Sequence, residues 1–197
     1  MKRVRLPAVL SVALGCLPSA AQVASRPPAA DKILELYDKL RAFENHTPGA
    51  RPVSFQLSEA DLNQYLKYSL AAAPRPGLES IAIKLYPHNY VSTFAVVDFD
   101  AVERWKPGAI PVLFRPMLKG KKSVWTDFRF QAQNRQGSFT VEKSHFQSVR
   151  LPAALVQKII EVVAARQPEK YDASKPLPLP FGLNTVWTTE RHLHGLQ

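Results

Sequence analysis

The chain has 197 residues, 46% of them hydrophobic, and a formal net charge of +10, which suits a single domain with an ample core and fits two domains poorly. One cysteine, Cys16, excludes a disulfide framework. No apolar run approaches the roughly 20 residues that a membrane-spanning helix needs.

The first residues have the three parts of a secretory signal: a basic start (Lys2, Arg3, Arg5), an apolar run over 6–17, and small residues at Ser19, Ala20 and Ala21. The mature chain is expected to begin near Gln22, exported to the periplasm or secreted. The alternative is lipidation of Cys16, which follows the small Gly15, although Ala13 and Leu14 do not supply the branched-then-small pair of such a site. Removing Lys2, Arg3 and Arg5 lowers the formal charge from +10 to +7. The excess still favours anionic partners, and outside the cell these are lipid headgroups and envelope glycans rather than nucleic acid.

Residues 22–30 read as a proline- and alanine-rich linker, and 31–197 as one α+β domain. Ile33, Leu34, Tyr37, Leu40 and Phe43 recur at helical spacing, so an amphipathic helix is expected over 31–44 with Asp31 as its cap. A short strand is expected over 52–57. Ser58 with Asp61 three residues on makes a variant capping box, opening a helix whose buried stripe is Leu62, Tyr65, Leu66, Ser69 and Leu70.

Residues 80–86 alternate cleanly, a Pro-His-Asn turn follows, and 90–99 forms the return strand of an antiparallel hairpin. That strand is apolar on one face (Val91, Ala95, Val97, Phe99) and largely so on the other (Tyr90, Phe94, Val96). Leaving the second face wet forgoes roughly 4 to 9 kcal/mol at about 1.5 to 3 per large side chain. A helix, a second sheet or an apolar ligand must cover it.

The prolines at 107, 111 and 116 exclude a regular strand over the next segment. Within 109–122, Ile110, Val112, Leu113, Phe114, Met117 and Leu118, with Arg115 among them, are framed by Arg104, Trp105 and Lys106 before and by Lys119, Lys121, Lys122 and Trp125 after. This pattern suits contact with an anionic membrane, the competing reading being a loop folded over the end of the sheet. A second hairpin is expected over 122–133 and 138–149, its first strand carrying Val124, Thr126, Phe128 and Phe130 on one face and Trp125, Asp127 and Arg129 on the other. Residues 152–166 form a mostly apolar helix, and 183–194 a last strand.

No nucleophile elbow, phosphate-binding glycine loop or metalloprotease helix is present, and no cofactor or metal is implied. Asp98 and Asp100 stand two apart as a carboxylate pair, but Asp100 reads better as a cap and Asp98 as the strand's exit to water. His192 and His194 have a spacing seen in metal sites but no acidic or sulfur partner near them in sequence. The expectation is a protein that is not an enzyme.

The segments FQLSEADLNQYL (55–66), PGLESIAIKLY (76–86) and LPFGLNTVW (179–187), with the order helix, hairpin, hairpin, apolar helix and strand, resemble small exported bacterial proteins of the tubular lipid-binding (TULIP-like) type. The resemblance implies a curved antiparallel sheet of two hairpins plus edge strands, wrapped around the apolar helix 152–166 and enclosing a tunnel for a lipid or another apolar molecule. It implies Leu66, Leu70, Phe94, Val96, Phe128, Phe130, Ile159 and Val163 as the lining. The proline-broken segment between the hairpins departs from the pattern as an insertion. The alternative is a cell-envelope scaffold or protein-interaction module with a fully packed core.

Overall fold

The computed structural model describes residues 26–108, 110, 112, 115–147, 149–151 and 175–197. The signal-like segment, the helix expected over 152–166 with Ile159 and Val163, and the pair Leu113 and Phe114 lie outside the described residues.

The fold is α+β, built on antiparallel sheets. Helix α1 (Pro28–Glu44) starts three residues before the sequence expectation, inside the supposed linker. Pro28 at its first position needs no N–H partner there and arrives with helical φ. Asp31 therefore sits in the first turn rather than capping it, where its charge still favours the helix N-terminus. Strand β1 (Ser54–Ser58) runs into α2 (Glu59–Ala72), and the capping box is as read: the Asp61 N–H donates to Ser58 Oγ at 3.0 Å and the Ser58 N–H to Asp61 Oδ2 at 3.1 Å.

Strands β2 (Leu78–Tyr86) and β3 (Tyr90–Asp98) form the first hairpin, with His88 and Asn89 at positive φ in its turn. The strand ends at Asp98, one residue short of expectation, because Phe99 opens the short helix α3 (Phe99–Trp105). Asp98, not Asp100, caps it by accepting from the Ala101 N–H. Strands β4 (Lys121–Gln133) and β5 (Gln136–Phe146) meet in a two-residue turn whose Asn134 and Arg135 are both left-handed, the geometry that matches the twist of a tight hairpin. With β6 (Val149–Leu151) and β7 (Leu177–Pro178) they complete a large sheet in the order β2-β3-β4-β5-β6, with β7 also on β5.

The last segment is not one strand. It is a hairpin of β8 (Thr185–Thr189) and β9 (His192–Leu196), turned at Arg191, which has positive φ, and it pairs with β1 to make a second sheet in the order β1-β9-β8.

The main core lies where α1 and α2 meet both sheets. Ile33, Tyr37 and Leu40 of α1 and Leu62 and Tyr65 of α2 close on Leu85, Val91, Phe128, Phe130 and Val186. Tyr37 meets Tyr65 edge-on at 6.0 Å and Phe181 at 5.5 Å. A smaller cluster, Ile110, Leu118, Val141 and Phe146, sits under the segment that follows α3.

Strand β2 is an edge of the large sheet, and α2 seals it. The Asn63 amide takes both backbone groups of Ile83, donating to its carbonyl and accepting from its N–H at 2.8 Å each, and Glu59 accepts from the Leu85 N–H at 2.8 Å. Exposed edges invite pairing with other chains, so this cover has a protective use as well. Replacing Asn63 with Leu strands a donor and an acceptor at the edge, for an expected loss of about 1 to 3 kcal/mol. Urea unfolding checks it; an unchanged midpoint would show that water replaces Asn63 at no cost.

Candidate ligand-binding face

Antiparallel pairing puts directly opposed residues on the same face. One face of the large sheet carries the rungs Leu85–Val91–Phe128–Val141, Ile83–Thr93–Thr126–Ser144 and Ile81–Ala95–Val124–Phe146. The first belongs to buried clusters, and the third reaches the small cluster only through Val124 and Phe146. Between those covers a strip of Ile81, Thr93, Ala95, Val97 and Thr126 is only half-buried.

Helix α2 borders this strip. Glu59 reaches Leu85 and Asn63 reaches Ile83, so the helix runs antiparallel to β2. At 1.5 Å per helical residue against about 3.4 Å per strand residue, Leu66, Ser69 and Leu70 lie level with Ile81 and the residues before it. Leu66 is buried and Leu70 half-buried. Ser69 is 3% exposed, and its Oγ has no hydrogen-bond partner among the described residues.

The opposite face is of another kind. Its rungs are Tyr86–Tyr90–Arg129–Thr140, Lys84–Ser92–Asp127–Lys143 and Ala82–Phe94–Trp125–His145. Asp127 Oδ1 accepts from Ser92 Oγ at 2.5 Å and from Trp125 Nε1 at 2.8 Å, and the carboxylate also takes the Tyr90 hydroxyl. Burial alone raises its pKa, but these hydrogen bonds and the Lys143 charge outweigh that and hold it below the ordinary carboxylate value. Burial, then the hydrogen bond to Asp127 and its negative charge, push Tyr90 up to about 12. Arg129 lies over the Tyr90 ring at 5.6 Å and pairs with Glu142 at 2.8 Å. Phe94 and Trp125, 38% and 43% exposed, meet edge-to-face at 6.2 Å.

Of the eight lining residues expected from the sequence, the six that are described do not converge. Leu66 and Leu70 border the half-open strip, whereas Phe128 and Phe130 are spent in the main core. Phe94 and Val96 stand on the opposite face, the one that carries Trp125 and Asp127. Ile81, Ser69 and Ala95 were missed as site residues, since only the pairing register and the helix direction bring them together.

The other sequence candidates are held by structural bonds. Asp98 caps α3 and lies 3.9 Å from Arg104, while Asp100 is exposed in the first turn. His194 stacks on Trp187 at 5.1 Å with Nε2 2.9 Å from Thr189 Oγ1, and His192 Nδ1 lies 2.9 Å from the Glu190 carbonyl. Among the described residues no three His, Cys, Asp or Glu side chains group to hold a metal ion. Arg115 pairs with Glu103 at 3.0 Å and Lys121 with Glu79 at 2.5 Å; Lys119 is exposed and Lys122 half-buried.

Compared with protein-family models, with curated proteins and with solved structures, the chain matches none.

Proposed function

We propose that the chain is an exported, non-catalytic binding protein that holds a lipid or another apolar molecule between α2 and the adjoining face of the large sheet. The observation that carries this reading is Ser69. Its hydroxyl is buried with no partner among the described residues, an arrangement that costs about 1 to 3 kcal/mol unless something satisfies it. A ligand with an apolar body along Ile81, Ala95 and Leu70 and a polar atom at Ser69 Oγ satisfies it. The signal-like start of the chain and the resemblance to tubular lipid-binding proteins support the same reading.

Native mass spectrometry of the purified protein is expected to show a bound lipid, and delipidated protein is expected to take up a fluorescent fatty acid. Ser69→Ala should bind that probe several-fold more weakly yet melt no lower than the parent, because removing the orphan hydroxyl relieves the free protein. Delipidated protein that takes up no lipid would overturn the reading in favour of a packed envelope scaffold, whose contact surface would be the exposed Phe94 and Trp125 pair.

A further inference from the structure

The connection from α3 to β4 has an inside and an outside. Phe99 packs on Phe146 at 5.6 Å, and Ile110 and Leu118 are buried against Val141 and Phe146. Glu103 fixes the turn between them: it accepts from the Gly108 N–H at 2.8 Å and the Ile110 N–H at 3.2 Å and pairs with Arg115, whose Nε donates to the Ile110 carbonyl at 3.3 Å. Against that anchored interior, Trp105 is 63% exposed, Val112 74% and Met117 38%. The stretch 103–122 holds six basic residues and one acidic one, Glu103; Arg115 pairs with Glu103, Lys121 with Glu79 and, at 3.9 Å, Arg104 with Asp98.

We propose that Trp105, Val112 and Met117 form a foot that docks this protein on an anionic lipid bilayer, with Arg104 and Lys119 beside them meeting the headgroups. Tryptophan belongs at the headgroup level of a bilayer, and aliphatic side chains enter the acyl boundary beneath it. Cations beside them gain from the negative surface potential. A soluble polyanion draws on the charges alone and gives Val112 and Met117 nothing to bury in. A protein partner of mixed charge leaves the one-sided excess unmatched. The internal bonds of Glu103 and Arg115 shape the foot before contact, so docking carries little ordering cost. The inference does not depend on the ligand reading: a protein with a filled interior docks equally well.

The test is sedimentation of the purified protein with vesicles of phosphatidylcholine alone or mixed with an equal part of phosphatidylglycerol. Binding is expected to the anionic vesicles, falling as salt rises, with a blue shift of tryptophan emission that Trp105→Phe largely removes. Arg104→Gln with Lys119→Gln is expected to weaken binding about twenty-five-fold, from about a fivefold factor per cation. Trp105→Ala and Val112→Asp should each weaken it several-fold while leaving circular dichroism and melting unchanged, since both positions are exposed. Absence of vesicle binding overturns the proposal. So does vesicle binding indifferent to Trp105→Ala and Val112→Asp, or tighter binding to a sulfated polysaccharide than to anionic vesicles.

Discussion

Gly77→Ala is expected to destabilise the protein by about 2 to 5 kcal/mol, although it adds one methyl group in a connecting turn. Gly77 has φ +82°, a conformation that costs an L-residue about 1 to 2 kcal/mol. A Cβ there would also meet Val102 Cγ2 and stand 2.7 Å from the Asp98 carbonyl oxygen, an overpacking worth about 1 to 3 kcal/mol more. Relief is blocked because the Gly77 carbonyl accepts from the Asp98 N–H at 2.7 Å, and Asp98 also caps α3. Moving the turn therefore moves the exit of β3 and the start of α3 together. Gly49→Ala is the control, since Gly49 has φ +84° and open space around it, so only the conformational cost of about 1 to 2 kcal/mol applies. Urea midpoints at constant slope compare the two. Equal losses would show that the crossing at Gly77 relaxes freely.

The local chemistry of the chain was readable before its geometry. The Ser58–Asp61 capping box and the β2–β3 turn were legible because cap and turn signals act over three or four residues. The first and second faces of residues 90–98 were likewise apparent from alternation. Which residues of the next hairpin share those faces was not, because the pairing of Phe94 with Trp125 rather than with Phe128 is set across the proline-broken segment between strands. The second sheet was missed for a related reason: Ser54 pairs with Leu196 from the other end of the chain, and the β8–β9 turn has Arg191 at positive φ where glycine or asparagine would have announced it. Nothing in the sequence gives Asn63 a role, and only the position of Ile83 reveals that it closes a sheet edge. Ser69 belonged to the buried stripe by its spacing, and only the lack of a hydrogen-bond partner for its Oγ among the described residues sets it apart.

Asp127→Ala is expected to cost about 3 kcal/mol and to move the titration of a different residue. The carboxylate accepts from Ser92, Trp125 and Tyr90, and Ser92 is 5% exposed, so its hydroxyl loses a partner where water reaches poorly. A hydrogen bond to a charged group contributes about 1.5 to 3 kcal/mol, and the exposure of Trp125 reduces its share, which sets the total near the top of the range for one such bond. The sign of the pH dependence follows from the two shifts. The Asp127 pKa is lowered in the folded state, so its contribution is present above the ordinary value of 3.8 and lost as pH falls through the lower folded value. The Tyr90 pKa is raised from 10.0 to about 12, so its contribution is complete below pH 10.0 and lost as pH rises through about 12. Removing Asp127 takes away a hydrogen bond and a negative charge that oppose ionisation of Tyr90 but leaves the burial. Ultraviolet titration of tyrosinate should therefore show one group moving down from about 12 toward, without reaching, 10.0. The same variant should lose less stability than the parent below pH 3.8, keeping the part that Asp61, also held below its ordinary value, contributes. An unmoved tyrosine titration would mean that Tyr90 and Asp127 do not share a proton contact, and the outer face would then be a set of separate side chains rather than one bonded array.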